Sequence, residues 1–280
     1  VTPPDEQKSV LITGCSSGIG LCVARGLMRR GYRVFATARK SEDVDNLKAE
    51  GLESLILDLD DSDSIKCAVD EVLSRTNGEL FALFNNGAYG QPGAVEDLQR
   101  DVLRAQFETN LFGTLELTNR IIPVMRQQGY GRIIFNSSVL GFVALPYRGA
   151  YNASKYAMEG LADTLRLELE GSCIHVSLIE PGPILSRFRE NAFAAYKKHI
   201  DAEKSAHAGK YAAMEIRLEK KGSAAPFTLP AEAVLDKVIH ALESRHPKIR
   251  YFVTVPTYLM AILKWLLPSR LFDQVLRRAG

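Results

Sequence analysis

Ser9-Val10-Leu11-Ile12-Thr13, followed at once by Gly14-Cys15-Ser16-Ser17-Gly18-Ile19-Gly20, is the stretch that decides the fold. Its first half is apolar almost throughout, as a strand covered on both faces must be. Its second half sets three glycines between that strand and an amphipathic run over residues 19–30. Glycine permits a tight turn and a close approach of backbone N–H groups to an anion, and the helix behind adds the positive end of its dipole. Ser16 and Ser17 add hydroxyl donors. One glycine would mark only a turn. Three, after a strand and before a helix, mark a phosphate loop. The spacing is GxxxGxG, which differs from the GxGxxG of the general dinucleotide fingerprint.

Working outward, the same alternation repeats. Strands are expected over residues 9–13, 33–38, 54–58, 81–85, 132–137 and 173–180, with helices over 19–30, 44–50, 62–75, 100–127 and 150–169. Strand–helix alternation implies right-handed crossovers and a doubly wound parallel α/β sheet with helices on both faces. No internal repeat or low-complexity linker interrupts it, so one domain spanning 1–280 is expected. Residues 9–184 form its nucleotide-binding core. Residues 185–230, rich in Ala, Lys and Glu with interspersed aromatics, form a lid. Residues 231–280 supply a helix, a short strand and a bulky apolar tail.

Composition narrows the function classes. With 46% hydrophobic and 24% charged residues, the chain reads as a globular protein, and a net charge of +2 argues against nucleic-acid binding. Basic pairs such as Lys220-Lys221 and Arg277-Arg278 read as solvated surface. Cys15, Cys22, Cys67 and Cys173 form no CxxC pair, and the default reading is buried, unpaired thiols in a reducing compartment. The histidines show no ligand spacing, so no metal is expected. The polar start lacks an apolar signal region, and no run of about 18 apolar residues suggests a spanning helix. A cytoplasmic homo-dimer or homo-tetramer is the expectation.

Tyr151 and Lys155 lie four residues apart in a predicted helix, which stacks them on one face. A phenol has a pKa of about 10, and a nearby cation lowers it toward useful proton chemistry. Such pairs are also common on solvated helices, and the spacing gains weight from what lies upstream.

The glycine pattern, Asn85-Asn86-Gly87-Ala88, Asn110, Ser138, the Tyr151/Lys155 pair and Pro181-Gly182 occur in that order over residues 9–184. Together they resemble the short-chain dehydrogenase/reductase family, whose fold is of the Rossmann type. The Thr13–Gly20 wording and Ser177-Leu178-Ile179-Glu180-Pro181-Gly182-Pro183 are similar to a branch of 17β-hydroxysteroid and retinol dehydrogenases and bacterial NADP-dependent aldehyde reductases. One departure stands out. The family usually carries Asn-Asn-Ala-Gly, and here Gly87 and Ala88 are exchanged, which changes the residue free to take unusual φ/ψ.

The resemblance implies a nicotinamide cofactor held by Gly14, Ser16, Ser17, Gly18, Ile19, Gly20, Asn85, Gly87, Tyr151, Lys155, Pro181, Gly182 and Ile184. Asp58 and Leu59 are implied at the adenine. Ala38 stands where an acid would bind the ribose 2′-hydroxyl of NAD, and Arg39 follows it. A guanidinium suits a 2′-phosphate, so NADP is expected; the competing reading is a solvated Arg-Lys pair.

The resemblance further implies Tyr151 as proton donor or base, Ser138 as donor to the substrate oxygen, Lys155 as the group that lowers the phenol pKa and binds ribose, and Asn110 as holder of a water. Asn110 as a helix-kinking side chain, and Ser137 in place of Ser138, stay open. The expected reaction is reduction of an apolar aldehyde or ketone. The alternatives are a steroid or retinol dehydrogenase in the oxidative direction and a non-catalytic NADP-binding sensor. Phe142, Val143, Leu145, Pro146 and Tyr147, with Phe188, Phe193, Tyr196 and Phe227, are expected near the cleft, although for any single aromatic packing of the lid against the core is the preferred reading. For the tail at Tyr258–Pro268, burial against the protein or a second subunit is preferred over membrane contact.

Overall fold

Apolar strands flanked by amphipathic helices bury themselves here in a seven-stranded sheet of order β3-β2-β1-β4-β5-β6-β7. The computed structural model describes residues 7–219, 222 and 225–279; Lys220-Lys221 and the polar residues 1–6 fall outside the described residues. The strands are β1 (Ser9–Ile12), β2 (Arg33–Ala38), β3 (Glu53–Ile56), β4 (Ala82–Asn85), β5 (Gly131–Asn136), β6 (Ile174–Glu180) and β7 (Arg250–Phe252). All six pairings are parallel. The expected doubly wound sheet is therefore present, and strand order reverses between β1 and β4, where such sheets open a crevice.

Alternate residues serve opposite faces. Val10 and Ile12 of β1 join a core with Val23 and Leu27 of α1 (Gly18–Arg29), Val44 of α2 (Ser41–Ala49) and Val234 and Val238 of α9 (Glu232–Glu243). Leu11 points the other way. It meets Ile65 of α3 (Ser62–Arg75), Leu117 and Ile121 of α5 (Gly113–Gln128) and Met158 of α6 (Gly149–Glu168). Each such fully buried side chain contributes about 1.5–3 kcal/mol.

Three expectations change. The helix read as continuous over 100–127 is α4 (Arg100–Phe107), a π turn (Glu108–Phe112) and α5. Hydrophobic spacing does not register one extra residue in a turn, and such π turns recur at functional sites. Of the cysteines only Cys15 is buried; Cys67 and Cys173 are exposed, and all four are free. The tail forms α10 (Val255–Leu266) and α11 (Ser269–Ala279), and α10 is buried on one side only. Trp265 is 85% exposed, so burial of the tail against the protein is incomplete. Among the described residues no helix is long and apolar enough to cross a membrane. The lid stretch contains α7 (Phe188–His199) and α8 (Ala208–Glu219).

One charged cluster ties β6, β7 and α6 together. Arg250 pairs with Glu180 at 3.0 Å, Glu159 at 3.0 Å and Asp163 at 2.7 Å. Glu180 is wholly buried, and desolvation followed by the Glu159 charge pushes its carboxyl up to about 8. Burial raises Glu159 as well. The folded state therefore binds more protons than the unfolded chain between roughly pH 4.5 and 8, and stability falls as pH rises through that window. We predict that Arg250→Leu, which strips the shared cation from two buried carboxyls, costs on the order of 3 kcal/mol. The loss is expected to be larger at pH 8 than at pH 5, because only the ionised acids need Arg250. Urea melts at both pH values measure this, and an equal loss at both would contradict the assignment.

Candidate active site

The C-terminal ends of β1, β4, β5 and β6 converge on one edge of the sheet. After β1 the chain enters the glycine loop. Gly14 (φ +69°) and Gly18 (φ +59°) adopt left-handed backbone that other residues avoid. A Cβ on Gly20 would lie 2.2 Å from the Gly14 carbonyl oxygen, so the first turn of α1 can pass the loop only as glycine. Cys15 N–H donates to Thr37 O at 2.7 Å, fixing the loop to β2. Burial pushes the Cys15 thiol up to about 12, which leaves it inert. Ser17 is the N-cap of α1, yet its hydroxyl makes no capping bond. The helix N-terminus is thus open toward an anion, and the cradle fits the phosphates of a dinucleotide.

The next turn, after β4, is bolted to this loop. Thr13 Oγ1 accepts from Asn86 N at 2.9 Å and from Gly87 N at 2.7 Å. Asn86 Nδ2 donates to Thr13 O at 2.9 Å and Gly14 O at 3.2 Å. Asn136, the last residue of β5, donates to Asn86 Oδ1 at 2.9 Å. Lys155 Nζ on α6 donates to Asn136 O at 2.7 Å. An unbroken hydrogen-bonded chain therefore runs from the glycine loop to α6. Sequence reading assigned Asn85 a cofactor role, but Asn85 turns away and donates to Thr118 Oγ1 on α5 at 2.9 Å. Gly87 is not in the left-handed region. What it provides is clearance, because a Cβ there would meet Leu59 Cδ1 at 2.9 Å. The Gly/Ala exchange thus answers to packing and not to φ/ψ.

Tyr151 and Lys155 share a face of α6, as expected. Lys155 is 1% exposed, and burial pushes its ammonium down to about 7, with Glu159 opposing. Burial pushes the Tyr151 phenol up to about 12, against the Ser138 hydroxyl and the Arg148 guanidinium. Lys155 was expected to lower the phenol. Its Nζ lies 5.7 Å from the ring centroid and is engaged by Asn136, so Ser138 and Arg148 do that work here. Arg148 was missed by sequence reading, although three residues separate it from Tyr151, a helical neighbour spacing. Asn86 and Asn136 were missed as well. Asn86 stood inside a quoted motif, whereas Asn136 carried no signal beyond its place at a strand end.

Ser138 caps a short 3-10 turn (Val139–Gly141), accepting from Leu140 N at 3.1 Å, and lies beside the phenol. Ser137 faces elsewhere: a Cβ on Gly141 would meet Ser137 Oγ at 2.5 Å and Glu159 Oε1 at 2.9 Å. That favours Ser138 over its rival. Asn110 sits in the π turn. It donates to Tyr89 O at 3.0 Å and Ser154 Oγ at 3.1 Å, and accepts from Tyr89 N at 3.2 Å. Its side chain therefore ties the α4–α5 junction to α6 and to the 89–91 segment.

The outer rim is mixed. Arg39 is exposed just past Ala38. It acts on the Tyr89 phenol together with Asp60, which has the opposite sign. Asp58 Oδ1 accepts from Asp60 N at 3.1 Å, and Leu59 is buried beneath Gly87. Pro181 O accepts from Val139 N at 2.9 Å, a Cβ on Gly182 would strike Thr254 Oγ1, and Ile184 packs on the α1 face of the sheet. The segment then passes over the glycine loop, where a Cβ on Gly18 would touch Ser186 Cβ at 2.9 Å.

Of the aromatics expected at the cleft, Phe188 is the one that reaches Tyr151, edge to face with centroids 5.2 Å apart. Gly90 makes room for it, since a Cβ there would lie 2.7 Å from Phe188 Cζ. Tyr147, Phe193 and Tyr196 instead build a separate core with Tyr211 beneath α7 and α8. Phe142 packs on Phe252, and Phe227 is exposed.

Similarity to known proteins agrees with this geometry. The profile of the family described as short chain dehydrogenase matches residues 8–197. The chain is 45% identical over 271 residues to the uncharacterized oxidoreductase YbbO of Escherichia coli K12, covering 97% of this chain and 94% of that one. It is 32% identical over 267 residues to 17-beta-hydroxysteroid dehydrogenase type 1 of Homo sapiens, covering 88% and 77%. A crystal structure of a short-chain dehydrogenase from Streptomyces avermitilis superposes with a TM-score of 0.75 at 25% identity, covering 98% of each chain. The match over residues 8–197 and the relatives covering nearly the whole chain show that the chain belongs to the short-chain dehydrogenase family of oxidoreductases.

Proposed function

We propose that the chain reduces an apolar aldehyde or ketone to the alcohol with NADPH, with Tyr151 as the proton donor. The observation that carries this reading is the state of Tyr151. The Ser138 hydroxyl lies beside it and the Phe188 ring packs against it, and burial pushes its pKa up to about 12. Such a phenol keeps its proton at neutral pH and is ready to give it up, but it is a poor base. The arrangement therefore suits carbonyl reduction better than alcohol oxidation.

When bound, the nicotinamide supplies the hydride. The protein's share is placement and charge. The glycine loop and the open α1 N-terminus hold phosphates, and Arg39, exposed just past Ala38, meets the 2′-phosphate. Ser138 Oγ donates to the substrate oxygen as negative charge develops there. Tyr151 Oη transfers its proton to that oxygen. Arg148 then stabilises the tyrosinate left behind. Lys155, anchored on Asn136 O, keeps α6 in register with the glycine loop and offers ammonium hydrogens toward the ribose. Phe188 and Gly90 shield the phenol from water.

Tyr151→Phe is expected to lower turnover at least about 100-fold while NADPH affinity stays within a few-fold, since the ring still packs and only the proton is gone. Stopped-flow turnover and cofactor titration measure the two, and a variant retaining most of its rate would sink the mechanism.

The pH dependence has a stated sign. Reduction should not rise with pH between 6 and 9, and alcohol oxidation should climb, because only oxidation needs the phenolate. Initial rates in both directions test it; an oxidation rate that falls with rising pH would contradict the assignment.

Cofactor choice rests on Arg39. Arg39→Ala should weaken NADPH roughly tenfold and leave NADH nearly unchanged, a difference a fluorescence titration resolves. Equal affinity of the unaltered protein for both cofactors would overturn the preference. For the substrate, kcat/KM at saturating NADPH should rise by up to about fourfold per added methylene from short to medium-chain aldehydes, then level off. A flat series would refute an apolar cleft.

A further inference from the structure

α10 is apolar on two sides, and the protein covers only one of them. Met260 and Leu263, with Leu267 after the helix and Phe272 and Leu276 of α11, pack on Val143, Phe142 and Leu145. The opposite side presents Val255, Tyr258, Leu259, Ile262, Trp265 and Leu266, between 48% and 85% exposed. Their spacing of three and four residues makes one continuous stripe. Lys264 Nζ donates to Phe142 O at 2.5 Å, so the stripe is clamped to the loop between Ser138 and Tyr151 and cannot fold inward to hide.

The same two-helix unit exposes Arg270, Arg277 and Arg278 against a single acid, Asp273. An exposed apolar stripe of this extent marks a docking surface. Its charge selects the occupant. Two copies meeting through this surface would set like arginines against each other, because an isologous contact pairs a patch with itself. An anionic lipid surface accepts both features: the bulky side chains enter the headgroup boundary and the basic residues meet lipid phosphates. α10 lies along such a surface, since it is too short to cross one.

We propose that the α10–α11 face docks this protein on anionic phospholipid bilayers. The docking is independent of which carbonyl the site reduces, and its test needs no turnover. Trp265 is the single tryptophan of the chain and sits in the stripe, so its emission reports on the face alone. Vesicles of phosphatidylcholine mixed with phosphatidylglycerol should shift that emission to the blue and carry the protein down on sedimentation. Pure phosphatidylcholine should do so about tenfold less well, and high salt should release the protein. Ile262→Glu with Leu266→Glu should abolish vesicle binding while Trp265 remains as reporter, with NADPH binding unchanged. Arg277→Glu with Arg278→Glu, in an exposed stretch, should lose the preference for the anionic vesicles.

No shift with either vesicle would overturn the proposal, as would equal binding to both compositions. It would equally fail if the Trp265 emission is already blue and shielded from acrylamide before vesicles are added, with a dimer on sedimentation. That result would assign the stripe to a second copy.

Discussion

An ammonium buried to 1% exposure is the constraint on which the site depends. Lys155 cannot be left without an acceptor, because an unpaired charge away from water is costly. Its acceptor is the carbonyl of Asn136 at the end of β5, at 2.7 Å. That bond fixes where α6 sits along the sheet and so where Tyr151, one turn earlier, presents its hydroxyl. The same Asn136 donates to Asn86, and Asn86 donates to the Thr13 and Gly14 carbonyls. α6 and the glycine loop are thus one hydrogen-bonded unit, although Gly14 and Lys155 stand 141 positions apart in the sequence.

The electrostatics of the pair follow from that burial. Desolvation pushes the amine down and the phenol up, so each drifts toward its neutral form. The two shifts share one cause, a dry environment that disfavours the charged form of each group. Arg148 and Ser138 counter the effect at the phenol, and Glu159 counters it at the amine. A deeper layer, Arg250 with Glu180, Glu159 and Asp163, supports the same helix from behind and anchors the strand that ends at Glu180. The Tyr151 hydroxyl is therefore positioned in part by charges it does not touch.

Much of this was legible in the sequence because single-residue chemistry forces it. Gly14, Gly18 and Gly20 announce their turn, and strands such as residues 9–12 announce burial on both faces. The order of motifs placed Ser138, Tyr151 and Lys155 on one sheet edge, and the structure brings them there. What escaped depends on direction or on partners far along the chain. Asn85 and Asn86 are identical neighbours, and alternation along β4 sends the first to Thr118 and leaves the second for the loop. The π turn at Asn110 adds one residue per turn to a pattern that still reads as helix. The aromatics near Tyr147 and Tyr196 looked like cleft residues by number, but Tyr211, on α8, gathers them into a core of their own.

Gly87 shows how such a reading is corrected by packing. Exchange of Gly and Ala in the Asn85–Ala88 turn suggested altered backbone freedom, yet Gly87 takes no positive φ. The need for glycine comes from Leu59, whose side chain lies where a Cβ would be, and from Thr13, whose hydroxyl collects the Asn86 and Gly87 N–H groups. The turn can exchange its two small residues because clearance is required at one position, set by the strand ends on either side, and that requirement travels with the side chain packed above it.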